Sequence, residues 1–364
     1  MKVLETLGKI IPPPAYMQLP SIGVDVSDTS LKYIQFKNDH RSRKGLRLVS
    51  WGDIDIEKGA LERGVVHKGD TLTEVLREVK ERTGIKNVRV SLPEERAYLF
   101  ETEIKKGTSL KEIRSQLEFK LEENVPLSPR DAFFDYEIIE DSLNQNMHRV
   151  SVTAYAKDTV LSYYDACRKA GVVPIAFEVE AQAIACALIP SHTKGTYMIV
   201  DFGKTRTGVG IVHNGVLMYT STIDLGGTLL SEAMRTKLGN VEESELTRIK
   251  NTQGLMQGSG ATDVHDILTK NIAVIADEIG IRIAYWNTKD ITHEDRQIQS
   301  VLLCGGSVNM KGLPSFLTQK LGVDVYRANV WQNAFSIEET IPPIERRYSF
   351  GYATAIGLAL APLI

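Results

Sequence analysis

The stretch Ile22-Gly-Val-Asp-Val-Ser-Asp-Thr-Ser-Leu-Lys-Tyr-Ile-Gln-Phe36 decides the fold. It reads as strand, polar turn, strand: Ile22, Val24 and Val26 precede the turn, and Leu31, Tyr33, Ile34 and Phe36 follow it. A carboxylate, Asp25, closes the first strand, and the turn carries Ser27, Asp28, Thr29 and Ser30, with Lys32 just beyond. The arrangement returns further along. Thr196 to Asp201 is an apolar strand ending in a carboxylate, Phe202-Gly-Lys-Thr-Arg-Thr207 is a polar turn, and Gly208 to Val212 is a strand. An Asp followed by Gly, Ser or Thr is also ordinary hairpin chemistry. Two of them, at corresponding places in the two halves, fit two similar α/β domains packed across a cleft.

Working outward, Leu46 to Trp51 is a further strand, and Thr71 to Thr83 carries Leu72, Val75, Leu76 and Val79 on one helical stripe. Val88 to Leu92 is a buried-type strand stopped by Pro93, and Ala97 to Ile104 alternates as a strand. Ser109 to Glu123 is helical with a capping signal at Thr108/Ser109. Ala132 to Ile139 and His148 to Ala156 read as strands, and Lys157 to Ala170 as a helix ending at Gly171. In the second half, Asn214-Gly215 is the strongest hairpin signal, because both residues tolerate positive φ. Val216 to Ile223 then returns as a strand, Gly226-Gly227 opens a helix, and Val241 to Lys250 and Thr262 to Trp286 are helical. Ser300 to Cys304 runs into Gly305-Gly306, and Tyr348 to Leu360 reads as one helix rich in small residues.

The chain has 364 residues, with 43 Lys+Arg against 46 Asp+Glu and a formal charge of −3. Its 43% hydrophobic and 24% charged residues are the mix of an ordinary globular protein of two or more domains. The balanced charge argues against a dedicated nucleic-acid binder, which needs excess Lys and Arg to meet phosphates. Cys167, Cys186 and Cys304 are far apart and form no CxxC pair, so neither a disulfide framework nor a cysteine zinc site is expected. The seven histidines form no HExxH or His-x-His pair. No run approaches the roughly 20 apolar residues of a membrane span. The segment Val3 to Ile11, ahead of Pro12-Pro13-Pro14, reads either as a frayed terminus or as a weakly amphipathic helix. The basic tip Arg41 to Lys44 reads as a solvated hairpin end or as a contact for anionic headgroups. His213, beside the Asn214-Gly215 turn, is expected at the surface. Trp51, Trp286 and Trp331 are expected in the core or between domains.

A nucleoside triphosphate needs backbone N–H donors and hydroxyls around its phosphates, and a carboxylate to hold Mg²⁺ directly or through water. Ser27, Asp28, Thr29, Ser30 and Lys32 offer such a set in the first turn, and Gly203, Lys204, Thr205 and Thr207 in the second. Asp25 and Asp201 are the metal-side carboxylates. Cys304-Gly305-Gly306-Ser307 ends a buried strand, so its glycines suit a close approach to a nucleoside.

The motifs Ile22 to Lys32, Ile199 to Gly203, and Leu303 to Ser307 with Gly312-Leu313 resemble the two phosphate motifs and the adenosine motif of the actin-like ATPases. Within that superfamily the chain resembles the PilM family, cytoplasmic actin-like components of type IV pilus assembly, over roughly Ile22 to Leu360. Leu110 to Pro126, Val150 to Pro174 and Glu178 to Ala183 resemble that family's inserted domain and connecting helix. The resemblance implies a two-lobed actin-like (ASKHA, RNase H-like) α/β fold with an inserted small α+β (SHS2-like) domain. It places the first lobe at 1–93, 172–193 and 345–364, the insert at 94–171 and the second lobe at 194–344. It implies ATP and Mg²⁺ as ligands, with Gly226, Gly227 and Lys250 on the base and ribose side. It also implies a groove between first lobe and insert that docks the cytoplasmic N-terminal tail of a PilN-like bitopic membrane protein. Pilus motor or platform proteins and self-association are further partners that the family suggests, with a place at the inner membrane through a protein partner.

Three departures stand out. Ser27 replaces a usual glycine, Leu246-Thr-Arg248 replaces acidic residues ahead of Lys250, and Lys204 and Arg206 are bulkier than the family's small residues. The last two either add positive charge for phosphates or obstruct the site. Glu180, opening the connecting helix with Gln182 behind it, is either the residue that orients water for slow hydrolysis or a carboxylate answering the helix dipole. Two rival readings share the fold. An FtsA-like division ATPase carries a basic C-terminal helix, whereas no Lys or Arg follows Arg347 here. A small-molecule kinase would need a carboxylate facing an acceptor.

Overall fold

The computed structural model describes residues 20–38, 46–139, 146–256, 262–289 and 296–361. The expectations for Val3 to Ile11 and for Arg41 to Lys44 lie outside these residues.

The first sheet is built from β1 (Ile22–Val26), β2 (Ser30–Asn38), β3 (Leu46–Asp55), β6 (Asn87–Leu92) and β10 (Val173–Val179), in the order β10-β6-β1-β2-β3. The second is built from β11 (Thr196–Phe202), β12 (Thr207–His213), β13 (Val216–Ile223), β14 (Ile298–Cys304) and β15 (Val325–Arg327), in the order β13-β12-β11-β14-β15. The two orders are the same path. In each, three antiparallel strands form a meander and two parallel strands follow on the other side of the first. Strand β1 therefore corresponds to β11. Asp25 and Asp201 occupy the corresponding C-terminal positions of these central strands. The internal duplication read from the two carboxylate turns is a property of the whole fold.

Parallel neighbours need crossovers, and helices supply them: α1 (Gly69–Thr83) leads to β6, and α3 (Lys157–Ala170) leads to β10. Helix α4 (Glu180–Leu188) carries the chain into the second lobe. There α5 (Gly227–Leu238), α6 (Glu243–Thr252) and α7 (Thr262–Lys289) precede β14, and α8 (Leu313–Leu321) precedes β15. A two-stranded ribbon of β4 (Leu61–Glu62) and β5 (Val65–Val66) lies beside the first sheet in sequence.

Between β6 and α3 the chain builds a three-stranded antiparallel sheet, ordered β7 (Tyr98–Lys105), β9 (Met147–Ala156), β8 (Ala132–Ile139), with helix α2 (Leu110–Asn124). Ser109 caps α2 with a reciprocal box, its hydroxyl accepting from the Glu112 N–H while the Glu112 carboxylate accepts from the Ser109 N–H at 3.1 Å. Phe100, Ile104, Leu117, Leu121, Val150 and Val152 form a core of their own there, separate from the main one. Helix α3 instead buries Tyr163, Ala166 and Cys167 in the main core. This small domain is tied to the second lobe as well. The Ser151 hydroxyl donates to the Leu217 carbonyl at 2.7 Å, and Glu101 accepts from Arg149 at 2.8 Å and Arg296 at 3.1 Å, with Lys289 nearby.

Three expectations change. The segment read as one helix from Tyr348 to Leu360 is three pieces: α9 (Arg346–Ser349), a 3₁₀ turn Phe350–Tyr352, and α10 (Ala353–Leu360). The break is made by tertiary contacts. The Phe350 carbonyl accepts from the Gly305 N–H at 2.9 Å, and Gly351 faces Lys32 and Gly306. His213 is buried at 2% exposure. The tight turn makes it the last paired residue of β12, where its Nδ1 meets Thr196 Oγ1 at 2.9 Å. Trp51 is 39% exposed because β3 is the sheet's edge strand, whereas Trp286 and Trp331 are buried as expected.

Candidate functional site

Strands β1, β6 and β10 run parallel and deliver their C-terminal ends to one edge of the first sheet, and β11 and β14 do the same in the second. Ligand sites of open α/β sheets lie at such ends. Here the two edges face each other across a cavity of about 340 Å³. Asp25, Ser27, Asp28, Thr29, Ser30 and Lys32 line it from the first lobe, and Asp201, Gly203, Lys204, Thr205, Gly305 and Gly306 from the second. Glu180 lines it from the start of α4. The structure thus gathers most of the residues singled out in sequence.

The first turn is braced from within. The Ser27 N–H and hydroxyl donate to the Ser30 carbonyl at 3.0 and 2.9 Å, and Lys32 Nζ donates to Ser30 Oγ at 2.7 Å. The second turn is seated on its neighbours. The Gly203 carbonyl accepts from the Gly227 N–H at 3.1 Å and the Ser307 hydroxyl at 2.9 Å, and the Lys204 carbonyl accepts from the Thr228 N–H at 2.8 Å. A side chain at Gly226 would strike the backbone of Thr205 and Arg206, so the turn lies flat on that residue. Gly226, Gly227 and Ser307 therefore support the turn from behind and are not among the residues lining the cavity. Lys250 lies further back, buried, with Nζ donating to Ser231 Oγ at 2.7 Å and to the Gly227 carbonyl at 3.4 Å; burial lowers its pKa. At Gly305, φ is +94° and an added Cβ would sit 2.3 Å from Asp201 Oδ1. Only glycine fits there without displacing the carboxylate.

Buried carboxyls crowd the cleft, with Lys32, Lys204 and Arg206 as the cations that line it. Burial raises the Asp25 pKa, opposed by Lys32 and by the Ser91 hydroxyl, which donates to it at 3.2 Å. Burial and then the charge of Asp25 push Asp201 up to about 7. Glu94, buried beneath the cleft and accepting from Thr220 at 3.1 Å and Thr222 at 3.4 Å, is pushed to about 8 by burial, Asp201 and Glu95. Glu180 is raised well above the usual carboxylate range by burial and then by Glu94 and Asp25. Such crowding of carboxyls favours a cation between them. The donor set fits Mg²⁺. Among the described residues no three such side chains are arranged to hold a metal by themselves, and Mg²⁺ usually takes one or two carboxylates with phosphate oxygens and water.

Sequence reasoning missed Glu94 and Glu95, and the use made of Arg206. The guanidinium of Arg206 crosses the cleft, donating to both Asp28 and Glu95. The available signal was the pair of acids directly after Pro93, which stops a buried strand parallel to the one ending in Asp25. Gln182 turns away from the cleft, its amide accepting from the Leu217 N–H at 3.0 Å.

Solved structures place this architecture. A PilM–PilN type IV pilus biogenesis complex superposes with a TM-score of 0.76 at 19% identity, over 95% of this chain and 99% of that one. The ethanolamine utilization protein EutJ from Carboxydothermus hydrogenoformans gives 0.53 at 15% identity, over 99% and 97% of the two chains. MreB5 of Spiroplasma citri bound to ADP gives 0.52 at 11% identity, over 93% and 94%. At such identities these likenesses show the fold, which is actin-like. The family model described as type IV pilus assembly protein PilM matches residues 23–362, and with nearly its whole length inside that match the chain belongs to the PilM family.

Proposed function

We propose that the chain binds Mg²⁺–ATP in the cleft and docks the N-terminal tail of a PilN-like membrane protein in a second groove, working at the cytoplasmic face of the inner membrane. The observation that carries the docking role is an 810 Å³ groove between the small domain and the first lobe, lined by Phe133, Phe134 and Tyr136 of β8, Phe177 of β10, and Leu161 and Tyr164 of α3. Strands β8 and β10 both stand at the ends of their sheets, so each offers an unpaired row of backbone groups along this groove. An extended peptide satisfies such edges while its alternate side chains enter apolar pockets. The PilM–PilN complex, similar over 95% of this chain, supports the choice of partner. No helix among the described residues is long and apolar enough to cross a membrane. Recruitment through a partner's tail supplies the membrane location, and the insert is taken as 94–171, with α3 as the part of it that packs on the main core.

In the cleft, Asp25 and Asp201 would hold the metal, while the Ser27–Ser30 and Gly203–Thr205 turns receive phosphates. The metal would neutralise phosphate charge. Glu180 is the candidate to orient water, and turnover is slow or absent, so ATP acts as a structural and switching ligand. Steady-state phosphate release that Glu180→Ala abolishes would overturn that last point.

The docking role is tested with a fluorescent peptide of the cognate PilN-like tail. Binding is expected, weakened at least tenfold by Leu161→Glu in the groove and unaffected by Leu110→Glu on α2. Failure to bind with ATP, with ADP and without nucleotide would refute the docking.

A further inference from the structure

Arg206 is one of several polar crossings of the cleft, beside Thr220 and Thr222 on Glu94 and Arg63 on Asp224. It belongs to the second-lobe turn, and its guanidinium reaches two carboxylates across the cleft: Asp28 in the first turn and Glu95 in the 3₁₀ turn Glu94–Arg96 that follows β6. All three groups line the same cavity as Asp25, Asp201 and Gly203. Their side chains keep about a fifth of their exposure or less, so the contact is largely shielded from bulk water. The two carboxylates are not held alike. Asp28 also accepts from the backbone N–H groups of Arg63 at 3.2 Å and Gly64 at 3.4 Å, so it stays hydrogen-bonded if the guanidinium leaves. Glu95 has Arg206 as its hydrogen-bond partner.

Given the nucleotide reading above, on which this inference rests, a phosphate chain between the two turns brings its terminal group up to Arg206. A guanidinium binds phosphate in the same two-pronged way as carboxylate. We infer that Arg206 distinguishes nucleoside triphosphate from diphosphate, exchanging Asp28 and Glu95 for the terminal phosphate when a triphosphate enters. The diphosphate leaves the inter-lobe ion pair in place. The bulky residue that departs from the family pattern is then a selectivity element, and Glu95 is its internal competitor.

The test is a fluorescence titration of the full chain with N-methylanthraniloyl ATP and ADP in the presence of Mg²⁺. A hydrogen bond to a charged group is worth about 1.5–3 kcal/mol, so wild-type protein is expected to prefer the triphosphate about tenfold or more. Arg206→Ala should bring the two dissociation constants within about threefold, with most of the change in the triphosphate, on the same scale. Arg206→Lys, which keeps the charge and loses the fork, should lose most of that preference while melting close to wild type. Glu95→Gln removes the competitor and should tighten ATP several-fold with ADP unchanged. The inference is overturned if Arg206→Ala keeps the preference, or tightens both nucleotides equally, as simple obstruction would. It is also overturned if Glu95→Gln leaves ATP affinity unchanged. Absence of binding of either nucleotide by wild-type protein instead removes the nucleotide reading, and this inference with it.

Discussion

Replacing Glu94 by Gln should raise the stability of the protein at alkaline pH and leave it unchanged in acid. Glu94 is 5% exposed, and a Cβ added at Gly208 would sit 2.2 Å from its Oε1, so the carboxyl is packed against backbone. Burial and the charges of Asp201 and Glu95 push its pKa from 4.5 to about 8. The native state therefore keeps this proton across a range in which the unfolded chain has released it. With more protons bound to the native state, stability falls as pH rises from about 4.5 to about 8 and levels off above. A carboxyl moved that far corresponds to roughly 5 kcal/mol if it acted alone. Because the Glu94 carboxyl interacts with that of Asp201, whose pKa burial also raises, about 2 kcal/mol is assigned to Glu94 itself. Gln keeps the shape and an acceptor for Thr220 and Thr222 without the charge. Thermal melts of the nucleotide-free protein should show wild type and Glu94→Gln together at pH 5, with the variant about 3 °C higher at pH 8.5. Parallel curves at all pH values would refute the assignment of buried charge to Glu94.

Gly357→Ala should be among the most damaging single-methyl changes in the chain. An added Cβ would lie 1.6 Å from the Ala183 carbonyl oxygen, where α10 crosses α4, so backbone must move. A loss of about 3 kcal/mol or more is expected in denaturant unfolding, and a loss below about 1 kcal/mol would show that the helices separate easily. Ser109→Ala removes the hydroxyl half of the α2 capping box and should cost about 1 kcal/mol, seen as faster amide exchange in α2 with the main core unaffected. Unchanged exchange in α2 would show that the cap contributes nothing there.

In the cleft, complementary roles come from unlike chemistry. The turns present hydroxyls and backbone N–H groups, Lys32, Lys204 and Arg206 present positive charge, and the strand ends present carboxyls whose pKa burial raises. Such a site is poorly satisfied without a cation and an anion together, which is the physical case for a metal-bound nucleotide. The groove on the other side of the small domain differs, being mainly aromatic and aliphatic with unpaired strand edges. The small domain touches both regions, since Glu101 and Ser151 fasten it to the second lobe while β8 forms a wall of the groove.

The sequence by itself determined the duplicated strand-turn-strand units, the Asp25 and Asp201 positions, the Asn214-Gly215 turn with φ of +52° and +87°, and the Ser109 cap. Each of these is local: alternation, a capping residue or a turn residue is read within a few positions and acts within them. Only the tertiary structure decided what depends on distant chain meeting distant chain. Helix 348–360 breaks because Gly305 requires the Phe350 carbonyl, and His213 is buried because its turn pairs it with Thr196. Gly226, Gly227, Ser307 and Lys250 stand behind the second turn, and Arg206 pairs with acids more than a hundred residues away in sequence. The charge state of the cleft belongs to the same class. A carboxyl's pKa depends on burial and on neighbouring charges, and no local pattern records either.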